Sequence, residues 1–85
     1  MQRSETEIRD WCANYLATAL DIAVSRIDPD AKLARLGMDS ARTVSFMLAL
    51  EDWFGMELDP EIAFEYPTIS QLAQHLSTRV ADQKP

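Results

Sequence analysis

The sequence predicts an all-α protein, a small four-helix bundle of three longer helices and one short third helix, with a long loop between helices one and two. Three features carry this expectation. Two capping-box sequences, Ser4-Glu5-Thr6-Glu7 and Thr68-Ile69-Ser70-Gln71, each open an apolar run with helical spacing. A third run, from about Ser40 to Phe54, keeps the same period and is closed by Gly55. Between Asp21 and Asp39 that period is lost.

The first helix, about 5–20, follows from Ile8, Trp11, Cys12, Tyr15, Leu16 and Ala19, which recur at helical spacing and define one core-facing stripe. Loops as long as the next segment are uncommon in compact domains unless they are functional or disordered. Here Ile22, Ile27, Leu33 and Leu36 are spaced to pin it, and a short helical turn fits around Leu33 to Leu36. In the second helix Thr43, Phe46, Met47, Leu50, Trp53 and Phe54 fall on one broad face, the core side. The opposite side carries Ala41, Val44, Ser45 and Leu48, flanked by Glu51 and Asp52, so it is less polar than a face meant only for water. The stretch from Leu58 to Tyr66 has Asp59 as an N-cap and Pro60 at the first helical position, and Pro67 limits it to one or two turns anchored by Ile62 and Phe64. The fourth helix, about 69–81, repeats Ile69, Leu72, Ala73, Leu76 and Val80. The tail, about 82–85, is expected to fray.

A chain of 85 residues that is 47% apolar supports one core and one domain, residues 1–85. No repeat, low-complexity tract or linker divides it, as expected of a freestanding protein, although an excised module would read the same way. Fourteen acidic against eight basic residues leave a net charge of −6, the wrong sign for a phosphate backbone, so no nucleic-acid partner is expected. That acidity favours partners with basic surfaces, or serves solubility alone. The lone Cys12 sits on the first helix's apolar stripe and reads as a buried thiol in a reducing cytoplasm. The N-terminus lacks the apolar core of a signal peptide, and no apolar run approaches the roughly 18 residues of a membrane span. The expectation is a soluble, cytoplasmic monomer without a membrane partner.

Catalysis finds little support. A Ser40/His75 hydrolase would need a third orienting group and an oxyanion-type glycine cluster, and neither is evident. One His and one Cys far apart have no metal-ligand spacing, and the carboxylates form no EF-hand loop. The informative stretch is Leu33-Ala34-Arg35-Leu36-Gly37-Met38-Asp39-Ser40. Its two leucines can pin a loop, Gly37 permits a turn that a side chain would obstruct, and Asp39-Ser40 supplies capping oxygens. In isolation, Asp-Ser before an apolar run reads first as a plain N-cap.

Leu36-Gly37-Met38-Asp39-Ser40 resembles the attachment motif of acyl carrier proteins, in which 4'-phosphopantetheine is esterified to the serine. The resemblance extends along nearly the whole chain. Ile27-Asp28-Pro29-Asp30 with Leu33 and Leu36 is similar to the family's first loop, Leu50-Glu51-Asp52-Trp53-Phe54-Gly55 to the end of its second helix, and Phe64-Glu65-Tyr66-Pro67-Thr68-Ile69 with Leu72, Ala73 and Leu76 to its third-to-fourth helix junction.

The resemblance implies a carrier that catalyses nothing itself. A separate phosphopantetheinyl transferase modifies Ser40 from coenzyme A, with Gly37, Met38 and Asp39 completing the cofactor-binding motif. A phosphodiester on Ser40 would lie where free backbone N–H groups and the helix dipole favour negative charge. The thiol of the arm carries an acyl group as a thioester to an acyl-activating enzyme, acyltransferase or ketosynthase, raising its local concentration there. Asp39 before the serine and the Phe-Glu-Tyr-Pro-Thr-Ile segment look more like polyketide-type carriers than peptidyl or aminoacyl carriers of nonribosomal peptide systems. A helical adaptor with Ser40 as a mere cap is the remaining alternative.

Two departures from the family pattern bear on partners: Ala41 stands where Leu is usual, and Arg42 and Ser45 stand where fatty-acid carriers often have acids. The acidic docking surface of those carriers is therefore not carried over. Docking is expected through Ala41, Arg42, Val44 and Leu48, with Glu51 and Asp52 further along. An acyl pocket is expected between the second helix and the Asp59–Glu65 segment, lined by Phe46, Leu50, Ile62 and Phe64.

Overall fold

The computed structural model describes residues 4–59 and 61–82, with side chains as far as Thr78. Three long helices carry the fold: α1 (Glu5–Leu20), α3 (Ser40–Phe54) and α5 (Ile69–Asp82). Two single-turn helices, α2 (Leu33–Leu36) and α4 (Ile62–Glu65), lie in the connections, with a 3₁₀ turn at Val24–Arg26. The long helices match the first, second and fourth expected from sequence. The loop holds the turn anticipated around Leu33.

Helix α1 begins with a complete capping box. The Glu7 N–H donates to Ser4 Oγ at 3.1 Å, and the Ser4 N–H donates to Glu7 Oε1 at 3.3 Å. It packs against α5 by burying Ile8, Cys12 and Leu16 against Ile69, Leu72, Ala73 and Leu76. The stripe closes on Ala17, while Ala19 is exposed. Burial pushes the Cys12 thiol up to about 12, which keeps it protonated and unreactive at neutral pH. Asp21 stops the helix in the left-handed conformation with φ 56°, a role that Asp fills more readily than most non-glycine residues. In α5, the Gln71 N–H donates to Thr68 Oγ1 at 3.1 Å, as its capping sequence predicts. The Val80 side chain, Pro60 and residues 83–85, on which sequence expectations also fell, lie outside the described residues.

Backbone bonds fasten the long loop as much as side chains do. The Leu33 N–H donates to the Pro67 carbonyl at 2.8 Å, and the Ser70 N–H donates to the Pro29 carbonyl at 2.9 Å. An isolated antiparallel bridge joins Lys32 to Thr68 beside them. Ile27 and Leu33 are buried and Leu36 half-buried, but Ile22 is 37% exposed and does not pin the loop. It directly follows the left-handed residue that ends α1, where the helical stripe no longer governs side-chain direction.

Helix α4 is the shortest reading of its segment. Asp59 is not the N-cap expected: its carboxylate accepts from the Glu61 N–H at 2.9 Å, a local bond ahead of the helix, which starts only at Ile62 with Glu61 at its N-cap position. Ile62 and Ala63 are buried, whereas Phe64 is 66% exposed and is not the anchor expected. Residues two apart in a helix are separated by about 200°, so Ile62 and Phe64 cannot both face the core. Ile62 anchors the segment as expected, and α3 adds a second hold, where Glu51 Oε2 accepts from the Leu58 N–H at 2.8 Å.

Candidate functional site

The site is built by a chain that dips into the core and comes straight out. Leu33 packs inward at the start of α2, and Gly37 ends that turn at φ 106°, a conformation that side chains resist. A Cβ there would also stand 3.4 Å from Leu20 Cδ2. The Met38 N–H donates to the Leu33 carbonyl at 3.1 Å, and its side chain is only 4% exposed. Asp39 and Ser40 then emerge into solvent.

Asp39, not Ser40, is the N-cap of α3, and Asp39 Oδ1 accepts from the Arg42 N–H at 2.8 Å. Ser40 is the first helical residue, exposed, and its hydroxyl has no partner among the described residues. The capping role that an isolated Asp-Ser suggests is thus filled one residue earlier, and the serine oxygen is left open.

Beside Ser40 opens a cleft of about 420 Å³. Met38, Asp39, Ser40 and Thr43 form its floor, Lys32, Leu33 and Ala34 one wall, and Ala63, Phe64 and Pro67 the other. It lies over the N-terminal turn of α3, between α2 and α4. Of the residues expected to line a pocket, only Phe64 does so, and it does so because it faces outward. Phe46, Leu50 and Ile62 are buried in the core and do not line the cleft. Leu33, Thr43, Ala63 and Pro67 were missed, because only tertiary contacts bring α2 and α4 together across Ser40.

The outer face of α3 matches the sequence reading at its start. Ala41, Arg42 and Asp52 are exposed, as are Val44 at 41% and Leu48 at 56%. A groove of about 190 Å³ runs between Tyr15 and Ala19 of α1 and Ala41, Arg42 and Ser45 of α3. Glu51, expected on the docking face, is instead half-buried and braces Leu58. Trp11, Tyr15, Phe46 and Trp53 stack on the α1/α3 side, with Trp11 and Trp53 5.0 Å apart.

His75 stacks on Tyr66 at 4.2 Å and lines a different depression from the Ser40 cleft, so the histidine is not brought to the serine. Among the described residues no cluster of His, Cys, Asp or Glu could hold a metal, and no helix is long and apolar enough to cross a membrane. The arrangement offers an accessible hydroxyl at a helix N-terminus, next to a mostly apolar recess. It is suited to bearing a group rather than to transforming one.

Comparison with known proteins agrees. Residues 10–76 match the family described as "Phosphopantetheine attachment site". The chain is 34% identical over 73 residues to a phenolphthiocerol/phthiocerol polyketide synthase of Mycobacterium tuberculosis, covering 86% of this chain and 4% of that protein. It therefore spans a small fraction of such relatives. Among solved structures, an acyl carrier protein from Anabaena superposes with a TM-score of 0.86 at 32% identity, covering 94% of this chain and 92% of the other. A free-standing peptidyl carrier protein from Acinetobacter baumannii gives 0.85 at 30% identity, covering 91% and 96%.

Proposed function

The chain belongs to the phosphopantetheine attachment-site family, as a carrier rather than a catalyst, and from that membership we propose that Ser40 bears the 4'-phosphopantetheine arm. The observation that carries the assignment is the unpartnered, exposed Ser40 hydroxyl at the mouth of the cleft. Its surroundings fit the group. Asp39 caps α3 without using Ser40, so the hydroxyl can be esterified with the helix start intact. The first-turn N–H groups of α3 and the helix dipole favour a phosphodiester there, and the recess can take an apolar chain. When attached, the arm supplies a terminal thiol that holds an acyl group as a thioester.

The pathway is best read as polyketide or related secondary-metabolite biosynthesis. Asp39 before the serine and the likeness to a mycobacterial polyketide synthase support this over a peptidyl carrier. The match to the attachment-site family favours a carrier over an unmodified adaptor, and a Ser40 that is not needed as the cap is consistent with it. Partners would be a phosphopantetheinyl transferase and then an acyltransferase, acyl-activating enzyme or ketosynthase. These would dock on Ala41, Val44 and Leu48, with Arg42 presenting positive charge near Ser40.

Incubation with coenzyme A and a broad-specificity phosphopantetheinyl transferase, read by intact mass, should show one arm on the wild type and none on Ser40→Ala. Labelling of the Ala variant at the wild-type rate would sink the assignment. For docking, Val44→Asp should lower kcat/KM for acyl loading by the cognate enzyme by roughly tenfold or more, as expected when an interface anchor is lost. Arg42→Glu should cause a smaller loss that varies with salt. Unchanged loading in both would remove α3 as the recognition surface.

A further inference from the structure

Lys32 stands out in the cleft. It is the sole cation among the lining residues, in a chain of net charge −6. The single lining carboxylate, Asp39, has one oxygen engaged by the Arg42 N–H, and no carboxylate of the described residues pairs with Lys32. Its backbone is fixed, because the Lys32–Thr68 bridge and the bond from the Leu33 N–H to the Pro67 carbonyl hold the start of α2 in place. Ser40 has a second cation nearby, Arg42, but that side chain lines the outer groove between α1 and α3. The two depressions flanking the start of α3 thus hold one cation each, Lys32 on the cleft side and Arg42 on the outer side.

We propose that Lys32 is the anion-binding group of the cleft and holds the phosphodiester of the arm on Ser40, turning the arm inward between α2 and α4. This presupposes the attachment argued above. An exposed ion pair is ordinarily weak because two mobile partners must be ordered and salt screens them. Here one partner is covalently fixed at the floor of the same cleft, which gives it a high effective concentration at the ammonium. The cleft's apolar lining then receives the part of the arm beyond the phosphate. Lys32 is a positioning residue, biasing the arm toward the cleft and away from the Arg42 groove.

The test uses the holo protein with a free thiol and no cargo, its modification first confirmed by intact mass. In wild type, addition of the arm should shift the backbone amide signals of Ala34 and Ala63, and raising the salt concentration should reduce those shifts. Lys32→Gln should reduce the inward population by roughly two- to fivefold, the range expected for an exposed ion pair, and move the phosphodiester ³¹P signal. Lys32→Arg should restore both, while Arg42→Gln, which removes the charge on the outer side, should not lower the inward population. A holo Lys32→Gln protein with wild-type ³¹P and amide signals overturns the role of Lys32. So does an effect that appears only after a succinyl group is loaded, since the ammonium would then be reading cargo carboxylate. Absence of any mass increase on the wild type is a different failure, that of the carrier assignment itself.

Discussion

The long helices and the single-turn helices of this protein are held by different forces. Helices α1 and α5 hold each other through Ile8, Cys12 and Leu16 against Ile69, Leu72, Ala73 and Leu76, all fully buried. Helices α2 and α4 have four residues each, too few to be stable alone, and they add directed bonds from elsewhere to the burial of Leu33, Ile62 and Ala63. The Leu33 N–H reaches Pro67, and Glu51 of α3 reaches the Leu58 N–H. The cleft is walled by the second kind of element and floored by the first. Its walls reach the core through Leu33 and Ala63 alone among the lining residues of α2 and α4, while the serine at its floor is fixed to a long helix.

The largest test of this contrast is Leu72→Ala, which should cost about 2–5 kcal/mol in urea unfolding through lost burial and a cavity. A loss below about 1 kcal/mol would mean that the α1/α5 pair is not the stabilising half. The same half should weaken at alkaline pH. The folded Cys12 thiol, raised to about 12, stays protonated while the unfolded thiol ionises from about 9. That contribution is complete below pH 9 and is lost as pH rises toward 12, at about 1.4 kcal/mol per pH unit. Cys12→Ala should flatten the slope over that interval, and an unaltered slope would show that other groups set it.

Effects on the cleft half should be smaller and local. Glu51→Ala strands the Leu58 N–H and should cost about 1–3 kcal/mol, with faster amide exchange across 58–66. If only acyl loading fell, Glu51 would be the docking residue that its sequence position predicted. Asp39→Ala removes the α3 cap, about 1 kcal/mol. Ser40→Ala should fall within about 0.5 kcal/mol of wild type, which chemical denaturation checks directly. A cost as large as that of Asp39→Ala would return the capping role to the serine.

These two halves also differ in how well the sequence reveals them. Long helices are legible because their signals are local: the boxes at Ser4 and Thr68, the period of the apolar residues, and Gly55 at φ 81° all lie within a few residues of what they control. The motif from Leu36 to Ser40 is legible for the same reason. The cleft is not. Phe64 reads as core by composition and faces solvent by geometry, and Glu51 reads as a surface charge until Leu58 is folded back onto it. Lys32 acquires significance only when the loop crosses to Thr68, far away in sequence.

The stack of Trp11 on Trp53 has a spectroscopic consequence. Both tryptophans of the chain stand there, 5.0 Å apart with planes 16° from parallel, and neither lines the cleft. Transition dipoles that close couple, so the near-ultraviolet circular dichroism should carry a paired tryptophan signal. That signal would report chiefly the packing of α1 against α3, with Tyr15 and Phe46 in the same stack. It provides an optical gauge of global folding that stays silent while Ser40 is loaded and unloaded.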